Sequence, residues 1–248
     1  MPVEGAPRDH FLVLGAGGLG APALLGLLTA GARRLTIVDR DIVETSNLQR
    51  QVLFDVGDVG SAKATAAAAQ LRRRTRDLEI DARVLDLDAD NLGELLDEHR
   101  AEGVVLECSD SPPLKFMVND ACMARDLPAV IAGAQRWRGQ ALAVSRGVGA
   151  CYRCIFEAPP PPGLAEPCSA VGVMGTAVGF FGHLMALHAW RLAQGDDHEV
   201  AGSLLAVDLM SLQIHTLRPC PRPACPACAG AGIDPDLDLK QACAALSR

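Results

Sequence analysis

The 248-residue chain is 49% apolar and 21% charged, with a formal net charge of −7 and a pI near 5.3. That length gives one large domain or two small ones with a substantial core, and the acidic balance argues against nucleic acid as a partner. The one dense basic cluster, Arg72, Arg73, Arg74 and Arg76, reads as the solvated end of a helix, where cations complement the dipole.

The N-terminus, MPVEGAPRDH, lacks the basic-then-apolar order of a secretory signal, so the expectation is a cytoplasmic protein. An apolar strand, Phe11–Leu14, then runs into Gly15-Ala16-Gly17-Gly18-Leu19-Gly20, a helix over Ala21–Thr29 and a second strand, Leu35–Val38, ending at Asp39. This is the opening of a nucleotide-binding βαβ unit. Gly15, Gly17, Gly18 and Gly20 let the backbone turn off the strand and approach a phosphate, and the N–H groups and dipole of the following helix favour negative charge there. Asp39 is spaced to accept hydrogen bonds from ribose hydroxyls. A nicotinamide enzyme shares all of this. The difference is the polar run that follows, in which Asp41, Ser46, Asn47, Gln49 and Arg50 fall where the phosphates of a nucleotide could lie. Asn47 and Arg50 sit on one side of a helical turn, and Arg50 offers a planar donor fork suited to phosphate oxygens. The alternative is a surface turn carrying an Asp–Arg pair.

Ser61–Arg76 is expected to be helical with Ser61 as its cap, which puts Lys63 in the first turn, where a cation opposes the dipole and calls for a compensating anion. Strands are expected at Ala82–Asp86, Val104–Cys108 and Pro128–Ala132, and helices at Asn91–Arg100 and Asn119–Arg125. Asp110 follows a strand at its carboxyl end, where a carboxylate can hold Mg²⁺ against phosphates or simply cap a turn. Gln140–Ser145, Ser203–Leu209 and Leu212–Leu217 can pair antiparallel. The predicted fold is therefore α/β and Rossmann-like, a mostly parallel sheet with antiparallel C-terminal strands. Residues 1–228 form one domain, and 229–248 are a tail.

The run Pro159 to Pro162 marks Glu157–Glu166 as a loop. Ala170–Trp190 has no charged residue and is long enough to cross a bilayer. Its glycines and two histidines, His183 and His188, favour a buried helix whose small residues allow close packing, so no membrane partner is expected.

Cys151/Cys154 and Cys225/Cys228 are two C-x-x-C pairs able to share one tetrahedral ion, with Zn²⁺ the expected metal in a closed structural site. Redox pairs are the rival reading. Cys168 stands at the start of the uncharged helix, a position that lowers a thiol pKa, and is either a nucleophile or an inert helix-start cysteine.

In this order, Gly15–Gly20, Asp39, Ser46 to Gln51, Gly60 to Lys63, Cys108-Ser109-Asp110, the two cysteine pairs and Cys168 resemble the ThiF/MoeB/HesA family, bacterial relatives of the ubiquitin-activating enzymes. The resemblance implies an adenylyltransferase that activates the C-terminal carboxylate of a small ubiquitin-like sulfur-carrier protein, ending Gly-Gly, by attack on the α-phosphate of ATP. It implies that Gly18 and its turn approach the phosphates, Asp39 holds the ribose, Asn47, Arg50 and Lys63 offset phosphate charge, and Asp110 ligates Mg²⁺. It also implies a homodimer, a sulfur donor and a covalent role for Cys168. Two departures stand out: Ser111 replaces the usual asparagine, and Arg8 is the sole basic residue before Gly15, where the family brings an arginine to the partner's ATP. A catalytically weakened, zinc-stabilised binding partner and an NAD-dependent oxidoreductase are the alternatives.

Overall fold

Alternation of apolar residues on both faces of short strands builds the centre of the molecule. In β1 (His10–Leu14), Phe11 and Val13 face one core and Leu12 and Leu14 the other. β4 (Gly103–Glu107) is buried at every position, as expected of a strand covered on both sides. The computed structural model describes residues 8–160 and 172–229. Cys168 and residues 230–248, which carry the predicted nucleophile and tail, lie outside them.

β2 (Arg34–Val38), β3 (Glu79–Arg83), β5 (Ala129–Gln135), β6 (Arg138–Val144), β7 (Leu204–Asp208) and β8 (Gln213–Leu217) complete an eight-stranded sheet of order β3-β2-β1-β4-β5-β6-β7-β8. Pairing is parallel from β3 through β5 and antiparallel from β5 through β8. The chain leaves β1 in one direction for β2 and β3, then returns to the other side of β1 for β4. That reversal opens a crevice at the carboxyl ends of β1 and β4.

On one face pack α1 (Gly20–Thr29), α2 (Lys63–Arg72) and the long helix α6 (Gly175–Ala193). On the other are α3 (Ala89–Glu98), α4 (Pro112–Arg125) and the short α5 (Tyr152–Ile155). A single turn, α7 (Asp197–Val200), leads into β7. The small-residue stripe of α6 is used within the chain: a Cβ added at Gly26 of α1 would lie 2.7 Å from Ala186 Cβ, and one at Gly182 would lie 2.4 Å from Pro22 Cγ. Among the described residues, no helix is long and apolar enough to cross a membrane.

Several boundaries move from their predicted places. β3 starts three residues earlier than expected because only Ile80 and Ala82 pack inward from this edge strand. α4 starts at Pro112 rather than Asn119, since proline fits the first helical positions and the Ser111 hydroxyl accepts from the Leu114 N–H at 3.4 Å. α2 is capped by Ala62, not Ser61, and begins at Lys63 itself.

At the opposite end of the sheet from the crevice, His10 Nε2 lies 2.9 Å from Thr36 Oγ1, and its ring packs edge-on against His99 with centroids 4.3 Å apart. Burial lowers the His10 pKa to about 4 and also lowers that of His99. Both rings are therefore neutral in the folded protein near neutrality, whereas in the unfolded chain they take up protons from about pH 6.5 downward. Their contribution to stability is present above that value and is lost as the pH falls toward 4. Urea midpoints measured between pH 7.5 and 4.5 should decline over this window, and a His10→Gln variant should decline less steeply.

Candidate functional site

Two glycines make the turn after β1 possible. Gly15 has φ +97°, a conformation that disfavours other residues, and a Cβ there would lie 3.2 Å from the backbone of Cys108 and Ser109. A Cβ at Gly20 would lie 1.8 Å from the Gly15 carbonyl oxygen, so the turn closes on itself. The first of these contacts seats the glycine turn directly against the segment that carries Asp110. Gly17 and Gly18 are different: a Cβ at either would make only ordinary contacts, with Gln51 and Val178 respectively. Internal packing does not require glycine at these two positions.

Asp39 closes the turn from the end of β2. Its Oδ2 accepts the Ala16 N–H at 2.7 Å and its Oδ1 the Asp41 N–H at 2.8 Å. Burial raises its pKa, while those two amides and Lys63 act in the opposite direction. Lys63 is buried and donates to Asp41 Oδ2 at 2.9 Å, and its backbone N–H bonds the Asp41 carbonyl at 2.8 Å. Asp41 thus supplies the anion that a lysine in a first helical turn calls for.

Thr45–Asn47 form a single 3₁₀ turn, continued by the N–H groups of Arg50 and Gln51 bonding the Asn47 carbonyl. Asn47 is buried, with Nδ2 donating to Ser46 Oγ at 3.3 Å. Ser46 and Gln49 are exposed. Arg50, half-buried, donates to the Ser46 carbonyl at 3.2 Å. This turn leans on the start of α6, where a Cβ at Gly175 would lie 2.7 Å from the Gln49 carbonyl. Gln51, which the sequence placed in the Ser46 to Gln51 motif without a site role, joins this group. It is buried beside Gly17, and its Oε1 has no hydrogen-bond partner among the described residues. Its signal in the sequence was only its place at the end of the polar run.

Asp110 is exposed, and among the described residues its carboxylate has no hydrogen-bond or ion-pair partner. Its neighbour Ser111 is occupied as the α4 cap. The glycine turn, Asp39, Asp41 with Lys63, and the Asn47–Gln51 and Ser109–Asp110 segments therefore share one end of the sheet.

A second cluster lies on the face of α4 and α5. Cys151, Cys154, Cys225 and Cys228 bring their sulfurs within 4.8 Å of one another, with Cys151–Cys225 at 3.6 Å, Cys151–Cys154 at 3.8 Å and Cys154–Cys228 at 3.3 Å. A tetrahedron of sulfurs with metal arms of about 2.3 Å has edges of about 3.8 Å, so these side chains can hold a metal ion. The Arg222 N–H donates to Cys154 Sγ at 3.3 Å, and Asn119 Nδ2 to Cys151 Sγ at 3.9 Å. By contrast, burial pushes the Cys108 and Cys122 thiols up, making both poor nucleophiles.

The ThiF family model matches residues 6–227. The SAMP-activating enzyme E1 of Haloferax volcanii is 36% identical over 238 residues, spanning 95% of this chain and 87% of that protein. The sulfur carrier protein adenylyltransferase of Thermus thermophilus is 36% identical over 230 residues, 91% of this chain and 84% of that protein. The mouse adenylyltransferase and sulfurtransferase MOCS3 is 40% identical over 218 residues, 88% of this chain but 47% of that protein, so the chain spans about half of it. A crystal structure of E. coli MccB with ATP shares the fold, with a TM-score of 0.76 at 21% identity over 90% of this chain and 67% of that one.

The contrast among the glycines is testable. Gly20→Ala should destabilise by about 3 kcal/mol or more because the clash is with backbone, whereas Gly18→Ala should melt within a few degrees of the parent in thermal unfolding.

Proposed function

The chain belongs to the ThiF family, and from that premise we propose that it is an ATP-dependent adenylyltransferase of a small ubiquitin-like sulfur-carrier protein ending Gly-Gly. The carrier's terminal carboxylate oxygen bonds to the α-phosphorus of ATP, the bond to the bridging oxygen breaks, and pyrophosphate leaves. The single observation that carries this reading is the convergence at one crevice of the glycine turn, the Asp39 bridge, the buried Lys63 and the unpaired Asp110 carboxylate. Similarity over 91% of this chain and 84% of a sulfur carrier protein adenylyltransferase supports the same reaction.

Gly17 and Gly18 leave room for phosphates to approach the amides at the start of α1. The orphaned Gln51 oxygen at the same turn is a buried polar group that a bound nucleotide can satisfy. Asp39, held rigid by two amides, is set to bind the ribose. Lys63, Asn47 and Arg50 offset the charge that builds on the phosphates, with Arg50 leaving the Ser46 carbonyl to do so, and Ser46, Gln49 and Asp41 complete the polar surround. Asp110 would hold Mg²⁺, which supplies charge neutralisation at the phosphates.

The four cysteines are assigned to Zn²⁺ in a structural role, joining the segment after β8 to α5. Homodimerisation, transfer from a sulfur donor, a thioester at Cys168 and a cytoplasmic location complete the proposal. A weakened family member that binds without turnover is favoured by one observation, the commitment of Ser111 to capping α4. ATP binding without exchange in the presence of its carrier would select that reading.

ATP–pyrophosphate exchange should require a Gly-Gly-ended carrier and fall by about 10²-fold in Arg50→Ala and in Asp110→Ala. No exchange with any such carrier would overturn the assignment. Elemental analysis should find one zinc per chain, and Cys228→Ser should lose the metal and lower the melting temperature.

A further inference from the structure

β4 is an otherwise apolar strand that ends in a carboxylate, Glu107, which is completely buried. A buried charge is costly unless it is paired and fully hydrogen-bonded. Its partner is Lys115 of α4, itself buried, whose Nζ donates to Glu107 Oε2, to the Ser109 carbonyl at 2.7 Å and to the Ala132 carbonyl at 2.7 Å. All three ammonium protons are thereby used, each on a different piece of the crevice wall: the tip of β4, the turn after it, and β5.

The other carboxylate oxygen grips the same turn from within. Glu107 Oε1 accepts the Ser109 N–H at 3.0 Å and the Ser109 hydroxyl, and that hydroxyl oxygen accepts the Ser111 N–H at 3.2 Å. Ser109 is consequently held through its N–H, its carbonyl and its side chain, and Ser111 through its N–H and its capping hydroxyl. Asp110 lies between them with its own carboxylate unpaired. With both its oxygens engaged and no exposure, Glu107 is not placed to ligate a metal itself.

We propose that the buried Glu107–Lys115 pair is a positioning device that fixes the Ser109–Asp110–Ser111 turn, so that the Asp110 carboxylate is preorganised for the divalent cation of the ATP complex. The inference rests on the reading of Asp110 as the metal ligand. Outer-shell partners of this kind typically alter metal affinity by about 10- to 100-fold when removed.

The test uses the full chain and Mn²⁺ in place of Mg²⁺. Removing one partner alone strands a buried charge, so the variant is the neutral, similarly shaped Glu107→Gln/Lys115→Met pair. Mn²⁺ binding to the ATP complex, followed by electron paramagnetic resonance, should weaken by about tenfold or more, while ATP binding in the presence of EDTA, measured by calorimetry, stays at the parent value. Ser109→Ala, which deletes one hydroxyl and leaves the ion pair, should show a smaller loss in the same direction at a parent-like melting temperature, and it decides the matter if the double variant does not fold. Parent-like Mn²⁺ affinity in a folded double variant, or in Ser109→Ala where that variant must decide, would overturn the proposal. Asp110→Asn separates the two levels: if it too binds Mn²⁺ as the parent does, the metal role of Asp110 falls and the positioning role with it. Loss in Asp110→Asn with none in the double variant sinks the positioning role alone.

Discussion

One carboxylate joins the two strands on which the crevice is built. By accepting the Ala16 and Asp41 amides on its two oxygens, Asp39 ties the turn leaving β1 to the segment leaving β2. Each bond satisfies a backbone donor that would otherwise need another partner, and a charged acceptor makes such bonds stronger than neutral ones. The direction of Asp41, and through it the burial of Lys63, follows from this clamp. On the opposite wall, the turn after β4 touches Gly15 so closely that a methyl group would not fit without displacement. The site is thus defined by backbone contacts between neighbouring loops before any side chain meets a ligand.

The second organising contact is the crossing of α1 and α6. Gly26, Gly182 and Ala186 let the helices approach to a distance that larger side chains would forbid. This sets the start of α6 over the glycine turn, with Val178 beside Gly18 and Gly175 against the Gln49 carbonyl. A helix more than 150 residues downstream in the chain therefore forms part of the wall around the first turn. The cysteine cluster holds the other face, linking α5 to residues 74 positions later.

Much of this was legible in the sequence because its signals are local. The glycine spacing with Asp39, the strand–helix alternation and the two C-x-x-C pairs each reflect constraints that act within a few residues or through a required ligand geometry. Where reading failed, tertiary contacts decided. β3 begins at Glu79 because its partner strand and two inward residues set its register; the start of α4 at Pro112 is instead a local signal, a capping serine followed by prolines where helices tolerate them. The Asp41–Lys63 bond joins residues 22 apart, so the sequence could state the need for an anion without naming it. Glu107 was concealed for the same reason: it falls inside the expected strand Val104–Cys108, and nothing near it in sequence names its partner on α4.

The lateness of α6 bears on how the polypeptide is made. Ribosomes deliver α1, with Leu24 and Leu27 on its inner side, long before residues 175–193 emerge, and domains tend to assemble in the order of their synthesis. Until then the flank of α1 that α6 covers stays bare and apolar, the kind of surface that self-associates when left exposed. The packing of α6 on α1 therefore waits on a segment made more than 150 residues after the turn it covers.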